Sequence, residues 1–120
     1  MNTLFAVTLI IEAIFAIGFI VAPGAMLGQF GVTLNDIATT SIRLFGSALL
    51  SFPVLLWFAR KSDKLEFKKG VVNSLFTYYL VSTVLLVIAQ TAGQMNVLGW
   101  SVVGLHLVLL LWFGYFLVKK

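Results

Sequence analysis

A chain of 120 residues that is 61% hydrophobic and 10% charged, with mean hydropathy +1.08, cannot cover a water-soluble globule, since ordinary domains carry roughly a quarter charged residues. The composition points to an all-α membrane protein. With no cysteine and one histidine, disulfides, thiolate chemistry and multi-histidine metal clusters are excluded, and neither metal nor cofactor is expected.

Four apolar stretches follow one another along the chain. The first, residues 3–22, is interrupted only by Glu12 and has about the 20 residues needed to cross a hydrocarbon core of about 30 Å. It lacks a basic leader and carries a carboxylate, so it reads as a helix of the mature protein and not a cleaved signal. Pro23-Gly24 ends it. An outer interfacial segment spans 24–34, where "GAMLGQF" sets Met26, Leu27 and Phe30 on one side of a short helix. Asn35 or Asp36 caps the second helix, 37–59, which holds Arg43 and a kinking Pro53. A basic loop, 60–70, leads to the uncharged third and fourth helices, 71–92 and 97–118. Backbone groups in lipid must be satisfied within each segment, so the stretches form a four-helix transmembrane bundle, a single domain over residues 1–120.

Charge sets the expected orientation. Arg60, Lys61, Lys64, Lys68 and Lys69 lie in the 60–70 loop, and Lys119 and Lys120 end the chain, whereas "PGAMLGQFGVTLND" and "GQMNV" carry no Lys or Arg. The positive-inside rule then makes the N-terminus, the basic loop and the C-terminus cytoplasmic. Trp57 and Trp112 fit the inner boundary and Trp100 the outer one. The basic pI near 9.7 reflects orientation and contact with anionic membrane lipids, not nucleic-acid binding, for which no aromatic-interleaved patch exists.

An ionised group in hydrocarbon demands a partner or a water-filled cavity. On a rise of 1.5 Å per residue, Glu12 lies about 15 Å and Arg43 about 9 Å below the outer helix ends, an offset an arginine can span. An intramembrane Glu12–Arg43 salt bridge is therefore expected. His106 falls near the same depth, and Ser47 follows Arg43 on one stripe of the second helix, with Tyr79, Thr83 and Gln90 available on the third. Together Glu12, Arg43, His106, Ser47, Thr83, Gln90 and Tyr79 form the expected polar cluster. It acts either as a structural lock that fixes helix register or as a site for a lipid-like ligand, with Arg43 holding an anionic or carbonyl head.

Glu12 in the first helix, the turn "APGAMLGQFG" and the opening "IRLFGSALL" of the second resemble small bacterial four-helix membrane proteins of the DoxX-like and related uncharacterised kinds, over about the first half of the chain. The resemblance implies a bundle in the bacterial cytoplasmic (inner) membrane and no assigned reaction. Size and a first-helix glutamate are also similar to small multidrug resistance transporters, but the strong charge bias and the nearby arginine depart from that pattern. Three functions follow as expectations. The first is binding of a lipid-like or amphipathic small molecule, alone or as an accessory subunit of a larger membrane complex. The second is proton-coupled transport by a homo-oligomer. The third, with least support in the absence of any nucleotide, nucleophile-elbow or metal motif, is an enzyme using Glu12 or His106 as acid and base.

Overall fold

The computed structural model describes residues 1–119; Lys120, counted above with the basic end, lies outside the described residues. The chain forms α1 (Asn2–Val21), α2 (Pro23–Gly28), α3 (Asp36–Lys61), α4 (Leu65–Thr91) and α5 (Gly99–Val118). Among the described residues no strand occurs. α1, α3, α4 and α5 are each long and apolar enough to cross a membrane, and their outward faces carry residues such as Ile14, Phe58, Val84 and Leu111. Water would not tolerate such a surface over the whole girdle; lipid does.

Local chemistry explains the boundaries. Pro23 occupies the first turn of α2, where its missing N–H costs nothing, and holds Ala22 out of helical geometry (φ −140°, ψ 61°). α2 and α4 both end in a Schellman turn. Gly31 (φ 78°) and Gly93 (φ 75°) supply the left-handed residue, and the amides of Val32 and Gln94 return to the carbonyls of Leu27 and Ala89 at 3.2 and 3.1 Å. Asn35 caps α3, its Oδ1 accepting from the Ala38 amide at 2.8 Å. α3 continues through the buried Pro53 as a single helix.

The expected 60–70 loop is corrected to a turn of residues 62–64, because its ends satisfy helix dipoles. Arg60 and Lys61 complete the last turn of α3 and Glu66 sits in the first turn of α4. Its bases therefore project from helix ends. Lys61 lies over the Trp57 ring at 4.1 Å, and Lys68 donates to Asn2 Oδ1 at 2.8 Å.

Two antiparallel helix pairs build the bundle, α1 with α3 and α4 with α5, and they meet through α3–α4 and α1–α5. Gly46 of α3 faces Ala16 and Phe19 of α1, while Gly99 and Gly114 of α5 face Gln90 and Phe76 of α4. The small residues let backbones approach where lipid offers no hydrophobic driving force. The chain start, the 62–64 turn and the end of α5 thus share one basic end. There Leu4, Phe5, Leu56, Val72, Leu75 and Phe113 pack into a closed core. Toward the opposite, neutral end the pairs separate and leave a cavity.

Candidate functional site

The cavity has a volume of about 580 Å³ and apolar walls, with Glu12 of α1, Tyr78 of α4 and His106 of α5 among its lining residues. Glu12 and Tyr79 are buried (3% and 0% exposed). α1 and α4 have no close backbone approach, so the Tyr79 side chain bridges the bundle and its hydroxyl donates to Glu12 Oε1. That bond closes the floor. A carboxyl buried in hydrocarbon requires a donor, and Tyr79 supplies it from a ring packed against Phe113, His106 and Tyr78 at centroid distances of 5.7, 5.5 and 5.0 Å.

His106 Nδ1 lies 2.9 Å from the Val102 carbonyl one turn earlier. Thr83 Oγ1 donates at 2.5 Å to the Tyr79 carbonyl, so Thr83 is satisfied within α4, one turn beyond Tyr79, and does not line the cavity. Of the expected cluster, the structure therefore assembles Glu12, Tyr79 and His106, with Thr83 behind them.

Three members lie elsewhere. Arg43 is not paired with Glu12, and no salt bridge forms among the described residues. Its Nε donates to the Ile20 carbonyl at 3.2 Å, one of the orphan carbonyls at the end of α1. The register is the cause: Gly46 lies against Ala16 and Phe19, so Arg43 falls level with Ile20, and eight more residues of α3, about 12 Å, separate it from the level of Glu12. Level helix ends would have left only about half that offset. Arg43 instead answers the negative end of the α1 dipole. Arg43→Gln is expected to lower the melting temperature while leaving any ligand occupancy of the cavity unchanged; loss of ligand at retained fold would return Arg43 to the site.

Ser47 faces away from the cavity. Its hydroxyl donates to Leu44 O at 2.8 Å, which satisfies it locally, and it borders a shallow groove with Ser51, Phe58 and Phe67 on the flank of α3 and α4. Gln90 is eleven residues beyond Tyr79, about 16 Å along α4. There its Nε2 donates to Asn96 O at 2.9 Å, while Oε1 is buried without a partner. Asn96 in turn donates from Nδ2 to Gln29 O at 3.0 Å and from its amide to Phe30 O at 2.8 Å. Asn96, braced by Gln90, thus ties the two neutral-end connections together, and Leu27, Phe30 and Met95 line the cavity below them.

Thr77, Tyr78 and Ser82 of α4 line the cavity outside the expected cluster. For Tyr78, adjacent tyrosines in an apolar span were the available signal, because each phenol needs a polar destination. Thr8, one turn before Glu12, is fully buried with a partnerless hydroxyl, which nothing in the linear pattern marks. Family models, curated proteins and solved structures were each compared with this chain, and none matches.

Proposed function

We propose that this protein is a small multi-pass module of the bacterial cytoplasmic membrane that binds an amphipathic, lipid-like molecule in the cavity above Glu12 and Tyr79. The observation that carries the reading is a cavity with almost wholly apolar walls and a polar floor, placed in the half of the bundle that the core leaves unfilled. Its volume lies in the range of sites that enclose one small ligand. The charge asymmetry supports a topology with the chain start, the 62–64 turn and the end of α5 in the cytoplasm, which sets the cavity in the outer half of the bilayer. The resemblance to DoxX-like proteins agrees with such a module and assigns it no reaction.

Transport would require a second copy of the chain, because the packed core at the basic end blocks a path through one bundle. An enzymatic reading would use Glu12 and His106, which share the cavity. Ligand binding requires neither a second copy nor a further reactant.

Native mass spectrometry after mild extraction tests the reading. The wild type is expected to carry an adduct of defined mass, and Val102→Phe, which fills the cavity from α5 without touching Glu12, is expected to lose it while keeping its helical circular dichroism. A bare wild-type chain from both detergent and lipid nanodiscs would sink the proposal.

A further inference from the structure

The hydrogen-bonding inventory of the cavity constrains the head of its ligand. Glu12 Oε1 takes the Tyr79 hydrogen, and Oε2 accepts nothing from the described residues. With Nδ1–H donated to Val102 O, the neutral His106 ring presents Nε2 as a second acceptor. The Tyr78 hydroxyl makes no hydrogen bond among the described residues, and its residue lines the same space. No lysine or arginine borders the cavity, Arg43 being held at Ile20. Thr77 and Ser82 also line the space, but their hydroxyls donate to the Asn73 and Tyr79 carbonyls, so the site keeps several acceptors, the Tyr78 hydroxyl as its one free donor, and no positive charge.

An anionic head would put a second acceptor-only group beside Glu12 with no cation to offset it. An ammonium head would donate to Glu12 but could accept nothing from Tyr78. A hydroxyl does both.

The way in is also visible. Phe45 of α3 and Val81 and Leu85 of α4 line the cavity yet remain 41%, 53% and 59% exposed, and Thr77, exposed too, extends their stripe at four-residue spacing along α4. The cavity therefore opens sideways between α3 and α4, onto the apolar girdle. At the neutral end the Asn96 hydrogen bonds to Gln29 O and Phe30 O join the two connections over it. We propose that the ligand is a single-chain amphiphile with a hydroxyl head, an aliphatic alcohol in chemical class, which enters laterally from the bilayer between α3 and α4 and sets its hydroxyl between Glu12 and Tyr78. This rests on the ligand-binding reading of the cavity.

The test uses the full chain in phosphatidylcholine vesicles with three photoreactive probes, hexadecanol, hexadecylamine and hexadecanesulfonate, each carrying a mid-chain diazirine, with labelled residues located by peptide mass spectrometry. Hexadecanol is expected to label cavity residues about fivefold or more above the other two, the worth of one well-made hydrogen bond. Tyr78→Phe should erase its advantage over the amine. Val81→Trp at the opening should reduce labelling by hexadecanol, whereas Leu80→Trp, outside the lining, should not. Equal or stronger cavity labelling by the amine or the sulfonate would overturn the hydroxyl head and leave the cavity an amphiphile site. Undiminished labelling in a helical Val81→Trp protein would overturn the lateral route. Cavity labelling by none of the probes would take down the ligand-binding reading itself.

Discussion

Tyr79→Ala is expected to lower the stability of the bundle by about 3 kcal/mol or more, and Tyr79→Phe by about 1–2 kcal/mol. The larger figure follows from deleting a ring that is fully buried and packed on three other aromatic rings. In lipid the unfolded reference is a set of separate helices, so the loss is one of packing and not of transfer from water. The smaller figure isolates the hydroxyl. Without it Glu12 Oε1 loses its donor inside the bundle, although intramembrane hydrogen bonds measured in other proteins average below 1 kcal/mol, which holds the estimate down. Unfolding by increasing detergent mole fraction, followed by circular dichroism, reads both. In a cycle with Glu12→Leu, the double variant with Tyr79→Phe should cost less than the sum of the singles, since each removes the other's unmet partner. Strict additivity would show that the two side chains do not interact.

Gly46→Leu is expected to be of comparable severity, about 3 kcal/mol, and Gly46→Ala about 1–3 kcal/mol. A Cβ at Gly46 would meet Phe19 Cβ at 2.9 Å and the Ala16 carbonyl oxygen at 3.0 Å. The carbonyl belongs to the α1 backbone and cannot swing aside, so α1 and α3 must part. Separation would also move Glu12 on one wall of the cavity and Phe45 on another, so occupancy by the amphiphile should fall with stability. Gly104→Leu serves as the comparison, because nothing lies within 4 Å of a Cβ there; it should stay within about 0.5 kcal/mol of wild type. Equal tolerance at the two positions would mean that α1 and α3 do not pack through Gly46.

Architecture and site were legible to different depths. The four spans follow from run length alone, because a bilayer fixes how many apolar residues a helix needs. The Asn35 cap and the stop at Pro23 are likewise local, written in side chains that act on their own backbone. The 60–70 loop was misread where charge was equated with loop, although Arg60, Lys61 and Glu66 suit the helix ends they occupy. Glu12 and His106 could be singled out from sequence because any ionisable group in hydrocarbon needs an answer.

Which group answers was decided by tertiary structure. Polar residues at similar computed depth are many, and the choice among them depends on helix register and rotation, which apolar runs leave open. The contact of Gly46 with Ala16 and Phe19 sets Arg43 against the end of α1. The rotation of α4 aims Tyr79 across the bundle at Glu12 and turns Tyr78 into the cavity. The sequence by itself determined that this chain has four helices long and apolar enough to cross a membrane and a carboxyl within the first of them; packing between helices alone decided that a tyrosine holds that carboxyl and that a cavity opens above it.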